Sequence, residues 1–430
     1  MAIIEPPLSP ESPRMNLHVL GLSLSLALAA GLPAQAADFT KAELARATAL
    51  QQRLLTLDSH LDTPANFERS DFDIMAAHPG TRMAQVDYPR MVAGALDGGF
   101  WAIYTGQGDR SARAHLDDRD AGLARLMAIH RLLAAHPRQF ALATTPADAA
   151  RIKAAGQRVV FLSMENASPL VADPTLLRFY HAQGLRLMST VHFLNNEFAD
   201  SATDPKGPQW QGLSPAGREL VRQAQKLGIV IDQSHASDAV FDQLIALSPV
   251  PILLSHSGAR AVHAHPRNID DARLKVLAAH GGVIQLNSYG GYLIDTGASP
   301  ERKAAEQALS AKYGDWEHLS LAEGRKLEQE IRALDARYPV RQATLDDFFA
   351  HLEHVLALVG PEHVGIGMDW DGGGGVAGME DVGDLPKITA WLLRKGYSER
   401  QIAAIWSGNV LRVMRQAQDW AAAQARTAAP

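Results

Sequence analysis

Eight short apolar runs, each separated from the next by an amphipathic stretch, constrain this chain more than any other feature. The runs are Arg53–Leu57, Gly99–Thr105, Arg158–Met164, Leu185–Val191, Gly228–Ser234, Val250–Ser255, Val283–Asn287 and Val364–Met368. Between them lie stretches such as AGLARLMAIHRLLAAHP, PAGRELVRQAQKLG, IDDARLKVLAAHGG and TLDDFFAHLEHVLALVG, most of them closed by Gly or Pro, as helix ends prefer. Strand alternating with helix, eight times over, is the count for an α/β fold of the closed (β/α)8, TIM-like type. An open doubly wound sheet is the alternative, but it does not normally spread reactive groups over nearly every strand end. In a barrel those ends converge on one mouth, however scattered they are in sequence.

The strand ends carry polar, chemically capable residues. The first run, in RLLTLDSHLDTP, leads into His60 and Asp62. In an extended segment residues i and i+2 point the same way, so these two side chains reach one point in space, as a bound cation requires. The third run (RVVFLSMENAS) ends at Glu165, the fourth (LRLMSTVHFLNNEFADS) at His192, the fifth (GIVIDQSHAS) at His235 and the sixth (VPILLSHSGAR) at His256. The seventh (VIQLNSYGGY) ends near Tyr289 and the eighth (HVGIGMDWDGG) at Asp369. A lone H-x-D arises by chance, and a single His after a buried strand is more often an ordinary histidine. The same residue types at one strand end after another are not an accident. Asp232 and Asp371 also lie near strand ends and are set aside as ligands on position alone. Asp58 reads as a turn residue or a group orienting a ligand. His263, His265 and His280 read as solvated, and Asp200 and Asp204 as structural or rim residues.

These residues suffice for a binuclear site. One metal takes His60, Asp62 and one oxygen of Glu165; a second takes the other oxygen of Glu165 with His235 and His256. A water shared between two divalent cations has a strongly lowered pKa and yields hydroxide at neutral pH. Asp369 is then left over, near the metals but not needed as a ligand. Such a carboxylate can accept the water's proton and return it to a leaving amine.

Composition narrows the chemistry further. A chain of 430 residues with 47% hydrophobic content buries a large core and is not disordered as a whole. With a net charge of −6 and no basic stripe, nucleic acid is not an expected partner. There are no cysteines, so disulfides, thiolate metal sites and a cysteine nucleophile are excluded. Any metal is held by His and carboxylates, which fits zinc, manganese, cobalt or iron.

The amino terminus reads as a targeting segment. Arg14 precedes the apolar stretch Leu17–Leu32, which ends in PAQA before ADFT. Ala34 and Ala36 supply the small-x-small pattern of a cleaved signal peptide. The stretch, about 16 residues, is short against the ~20 of a membrane span. The expectation is therefore a signal peptide over 1–36 and a single barrel domain over 37–430, exported to the periplasm or secreted, with no stable membrane anchor. The charged, helical segment 295–341 (ERKAAEQALSAKYG, LAEGRKLEQEIRALDARYP) breaks the strand–helix rhythm and reads as an insertion after the seventh run, on the face where barrel active sites form.

At these residues the chain resembles the membrane dipeptidase family, also called renal dipeptidase, of the metal-dependent amidohydrolase superfamily. The likeness runs through DSHLDT, MEN, HFLNN with FADS, DQSH, SHSGAR with HPRNIDD, GMDWDG and WSGNVLRVM. It implies two zinc ions on His60, Asp62, Glu165, His235 and His256, with glutamate as the bridging ligand. It also implies a proton-shuttling role for Asp369, contact of His192 with the scissile carbonyl, recognition of the substrate carboxylate by Arg267, and Tyr289 as a pocket residue. The implied activity is hydrolysis of free dipeptides, including those with a C-terminal D-residue; some members of the family also open a β-lactam. Mammalian members carry disulfides and a lipid anchor, so the resemblance is to the bacterial branch. The 295–341 insertion is longer than expected there and bears on substrate size. Two other readings stand beside this one: an amidohydrolase acting on N-acyl amino acids or cyclic amides, and a non-catalytic metal-binding barrel, which would have no need of Asp369. A homodimer is left open by the sequence.

Overall fold

A computed structural model describes residues 38–314 and 319–428; the expected signal peptide and its cleavage point lie outside the described residues. Among the described residues nine strands form one parallel sheet: β1 Leu57–Leu61, β2 Gly98–Tyr104, β3 Phe140–Leu142, β4 Arg158–Glu165, β5 Leu185–Ser189, β6 Val230–Asp232, β7 Leu253–Ser257, β8 Val283–Leu286 and β9 Val364–Ile366. The order is β1-β2-β4-β5-β6-β7-β8-β9, with helices between successive strands. The sheet returns on itself, since Leu61 bridges Trp370 in parallel and the Asp62 N–H donates to the Trp370 carbonyl at 2.9 Å. This is an eight-stranded, TIM-like (β/α)8 barrel. The ninth strand, β3, pairs with the start of β4, below the point where β5 begins its own pairing at Leu162. Three residues are too few to show a period, and β3 was not visible in the sequence.

Side-chain parity builds the two layers of the core. Val159 and Phe161 cluster with Leu57, Phe100, Leu187, Val230, Leu253 and Val283 inside the barrel. Their alternates Val160 and Leu162 join Trp101, Ile103, Leu254, Ile284 and the helix residues Phe241 and Phe348 outside it. Period two thus separates the barrel interior from the sheet–helix layer. The carboxy-terminal helix, Asn409–Ala428, sets Val410, Val413 and Met414 into the interior cluster and closes the end where the strands begin. The opposite end stays polar. The crossover helices Pro215–Lys226, Asp238–Leu247, Asp271–Ala279 and Leu345–Val359 each start on a cap. Ser214, Ser237, Asp270 and Thr344 accept from the backbone N–H three residues on.

Some expected boundaries are corrected. Residues 53–56 of the first expected run are not strand: a capping box of Thr40 and Glu43 starts a helix that runs Lys41–Arg53, and the strand begins at Leu57. His60 therefore lies within β1, and His256 within β7, rather than after them. Apolar pattern misplaces such strands because their last residues are polar yet buried by the closing of the barrel.

The segment between β8 and helix Leu345–Val359 holds two long helices, Pro300–Tyr313 and Leu321–Arg337. They meet through Leu309, Tyr313, Leu327 and Ile331. Arg302 joins them more firmly, buried between Glu306 at 2.7 Å and Asp335 at 2.6 Å. The pair docks on the loop that follows β1. Asp71 accepts from the Leu321 and Ala322 N–H groups at 2.9 and 3.1 Å, and Met83 and Ala84 pack on Leu321. Among the described residues no helix is long and apolar enough to cross a membrane.

Candidate metal centre and active site

The mouth at the carboxyl ends of the strands gathers His60, Asp62, Glu165, His192, His235, His256 and Asp369, all buried. Glu165 lies at the middle. Its Oε2 is 3.2 Å from His60 Nε2, which is 3.2 Å from Asp62 Oδ2. Its Oε1 is 3.0 Å from His235 Nε2, 3.5 Å from His256 Nε2 and 3.6 Å from His192 Nε2. Three sets of donor atoms converge within 4.8 Å: His60, Asp62 and Glu165; Glu165, His192 and His235; and His60, His256 and Asp369. His192 and Asp369 thus stand as close to the centre as the five residues expected to be ligands.

Strand alternation alone does not aim these groups. Val159, Phe161, Ser163 and Glu165 share one parity, so Glu165 follows the interior side of β4 directly. In β1 the pairing with β2 slips between Asp58, opposite Gly99, and Leu61, opposite Trp101, so one extra residue is accommodated. Leu57 faces the interior and Leu61 the outer layer, so the slip lets His60 and Asp62 turn inward. In β7 a similar slip between Leu254 and Ser257 lets Ser255 and His256 both serve the interior. Backbone at positive φ aims two more: His235 at 70° and Asp369 at 65°. That conformation is unfavourable for a residue with a Cβ, and it collects at functional sites.

A second layer of groups sets these side chains; Asp58 was expected as a turn residue or as such a group, whereas Asp232, Ser255 and Asn287 were not. Asp232 accepts from the Ser255 hydroxyl and, at 2.8 Å, from the Ser255 N–H. With its proton given to Asp232, Ser255 Oγ accepts from His256 Nδ1 at 2.8 Å. His256 is thereby held with the Nε2 lone pair facing Glu165, the arrangement that second-layer carboxylates give to metal-ligating histidines. Asp58 accepts from the His60 N–H at 3.0 Å and the Met368 N–H at 3.1 Å, which ties the His60 backbone to the segment that follows β9. Burial pushes the Asp58 carboxyl up to about 7. Asn287 donates to Asp369 Oδ2 at 3.3 Å. Position at a strand end was the signal for Asp232 and Asn287, but only the fold says which neighbour each serves.

Gly372 lies between the two aspartates. A Cβ there would sit 2.0 Å from Asp62 Oδ2 and 2.4 Å from Asp369 Oδ1. Gly372→Ala should therefore push both carboxylates aside and lower activity by roughly 10²-fold, as a misplacement of about 1 Å does. Its melting temperature should stay close to wild type, because the clash is with mouth side chains and not with the core. Steady-state kinetics beside a thermal melt check this, and unchanged turnover would contradict the crowding.

The electrostatics favour a cation. Three buried carboxylates, Asp62, Glu165 and Asp369, gather at the mouth, and the buried Arg267 interacts with Glu165 and Asp369. Burial disfavours the charged form of His60, but Glu165 and Asp62 outweigh it and raise its pKa well above the ordinary value. Burial holds His235 and His256 well below the ordinary value and pushes His192 down to about 3, so these rings are neutral with lone pairs available. Burial also raises Asp369 well above the usual carboxylate range. Asp62 Oδ1 and His235 Nδ1 are buried without a hydrogen-bond partner among the described residues, and His235 Nε2 and His256 Nε2 face each other at 2.8 Å. Imidazoles and carboxylates aimed at shared points fit divalent metal, with His60, Asp62 and Glu165 on one side and Glu165, His235 and His256 on the other.

Arg267 is buried beside this centre. Its guanidinium donates to Ser257 Oγ at 2.8 Å and the His256 carbonyl at 2.7 Å and lies 5.4 Å over the Tyr292 ring. Tyr289 follows β8, its ring 4.5 Å from Tyr292 and resting on Gly373, where a Cβ would meet it at 2.8 Å. The expectation of solvated histidines is corrected at two positions. His265 accepts from the Arg267 N–H at 3.1 Å, and the His280 ring pairs with the Ser248 carbonyl at 3.1 Å. Asp200 is structural, binding the N–H groups of Gln209, Trp210 and Gly212.

Comparison with known proteins agrees with the geometry. Residues 44–428 match the family described as membrane dipeptidase (peptidase family M19). Dipeptidase tcpJ of Claviceps purpurea is 28% identical over 79% of this chain and 71% of its own length. Dipeptidase verJ of Clonostachys rogersoniana is 29% identical over 79% and 77%. The crystal structure of the probable dipeptidase PvdM from Pseudomonas aeruginosa superposes with a TM-score of 0.76 at 28% identity, covering 89% of this chain and all of that one. The barrel, its buried histidine–carboxylate mouth and a match over almost all the described residues together assign this chain to the membrane dipeptidase family of metallopeptidases, M19.

Proposed function

We propose that this protein hydrolyses the peptide bond of free dipeptides, those with a C-terminal D-residue included, with two divalent ions, zinc first among them. One observation carries this reading: the two oxygens of Glu165 face separate donor sets, His60 with Asp62 and His235 with His256. Ions bound there supply Lewis acidity and bring the pKa of a water near neutrality. The chain's own residues do the rest. Asp369 takes a proton at a carboxylate oxygen and returns it to the leaving amine. His192, kept neutral by burial, offers a ring N–H to the scissile carbonyl oxygen. Arg267 receives the free carboxylate, and the Tyr289 ring bounds the pocket. Export through the amino-terminal segment belongs to the same proposal.

Protein purified without chelator should contain close to two equivalents of divalent metal by elemental analysis. A value near zero after supplementation would contradict the binuclear reading. Turnover is tested on L,L and L,D dipeptides beside N-acetyl amino acids, each with and without chelator. Chelator-sensitive cleavage of dipeptides alone is the expected result. Cleavage of the N-acetyl panel alone would transfer the site to the amidohydrolase reading.

A further inference from the structure

The loop that carries Asp369 has little stiffness of its own. Asp369, Trp370 and Asp371 are followed by four consecutive glycines, Gly372 to Gly375. Asp369 and Asp371 both have φ of 65°, and Gly373 and Gly375 have φ of 125° and 94°. Glycine loses the most conformational freedom on ordering, so a run like this holds a shape only when outside groups hold it. Within the loop, Gly374 N–H donates to the Asp369 carbonyl at 2.7 Å, so the position of Gly374 and that of Asp369 are linked.

The outside groups come from two sides: after β8, Ser288 Oγ accepts from the Gly375 N–H at 2.7 Å, and the loop after β1 supplies the rest. Arg82 donates through one guanidinium nitrogen to the carbonyls of Gly374 at 3.1 Å and Gly375 at 2.8 Å. Gln85 Nε2 adds a bond to Gly374 O at 2.8 Å. The segment Thr81–Gln85 is itself irregular and needs an anchor. Arg69 and Arg90 hold the carbonyls of Met83 and Ala84, and the anchor at Thr81 and Arg82 is in the inserted helix Leu321–Arg337. Glu328, 2% exposed, accepts at a single oxygen, Oε1, from the Thr81 hydroxyl and the Arg82 N–H, each at 2.7 Å. Beside it Gly324 leaves room for Met83, since a Cβ there would lie 2.6 Å from Met83 Cγ.

We propose that Glu328 is a positioning residue for the proton-carrying aspartate: through Thr81 and Arg82 the inserted helix pair holds the glycine loop that sets Asp369. The inference rests on the role given to Asp369 above. It makes the 295–341 segment a working part of the active site and not an appendage. Asp369 moves protons and does not bind substrate, so loosening it lowers kcat and leaves KM in place. Both bonds end on one oxygen, so an amide oxygen can replace it.

The test uses the full chain, metal-loaded, with Ala-Ala as substrate. Glu328→Leu should lower kcat roughly 10- to 100-fold, with KM and metal content near wild type. Glu328→Gln should restore most of the rate. Arg82→Met, which leaves the insertion untouched, should show a similar loss and tests the link if Glu328→Leu does not fold. The double variant should be no slower than the worse single one, because both changes break one chain of contacts. Unchanged kcat in Arg82→Met, a Gln variant as slow as the Leu variant, or multiplying losses in the double variant would each overturn the inference. Wild-type protein that cleaves no dipeptide would instead overturn the reading of the site itself.

Discussion

Asp369→Asn is expected to keep its metal and lose about 10²–10⁴ in kcat, with little change in KM. Asparagine preserves the shape of the side chain at the positive φ that this position adopts, a conformation Asn tolerates better than most residues. It can still bond Asn287, since one amide oxygen suffices for the 3.3 Å contact now made by Oδ2. What it cannot do is carry a proton. The measurement is metal content beside kcat and KM for one good dipeptide. Loss of a metal equivalent would show Asp369 to be a ligand. That outcome is a real contest, because Asp369 lies within the 4.8 Å convergence of His60 and His256.

Substrates without a free carboxylate should be poor, by roughly 10²-fold in kcat/KM, or about 2.8 kcal/mol at about 1.4 kcal/mol per decade. Arg267 is the reason. It is buried and always charged, and its bonds to Ser257 Oγ and the His256 carbonyl fix the plane of the guanidinium. A planar fork so fixed matches a carboxylate by two parallel bonds. An amide or a third residue replaces the negative charge and leaves the desolvated fork without the acceptor aimed at it. Ala-Ala should be cleaved well, and Ala-Ala-amide and Ala-Ala-Ala poorly. Arg267→Lys should raise KM for Ala-Ala and narrow the gap between acid and amide. The rival role is a brace for β7, since Arg267 holds the carbonyl of His256. A brace predicts that the Lys variant slows acid and amide alike and that wild type treats all three substrates equally.

Most of the site was legible because barrel geometry turns scattered strand ends into one place. The apolar runs announced eight strands, and the residues closing them included His60, Glu165, His235, His256 and Asp369. The misses share a cause. Asp232 and Ser255 act through hydrogen bonds to a neighbouring strand or to a mouth histidine, and no local pattern records which strand lies beside which. Asn287 was passed over for the nearby Tyr289 because an amide at a strand end resembles any turn residue. The first strand was placed too early because its polar half, Asp58 to His60, is buried only when the sheet closes.

The sequence alone determined the alternation of strand and helix, hence the barrel, and the set of donors that could reach its mouth. These follow from local periodicity and chain chemistry. It also limited the candidate metal donors at the mouth to imidazole and carboxylate, since the chain has no cysteine. Tertiary structure decided how those donors are aimed. The register slips in β1 and β7, the positive φ of His235 and Asp369, and the Asp232–Ser255–His256 relay arise where one strand meets another. So does the docking of the inserted helices on the loop after β1, which joins Glu328 to Arg82 across 246 positions of chain. Periodicity is a property of neighbours in sequence; aim is a property of neighbours in space, and it exists only once the barrel has closed.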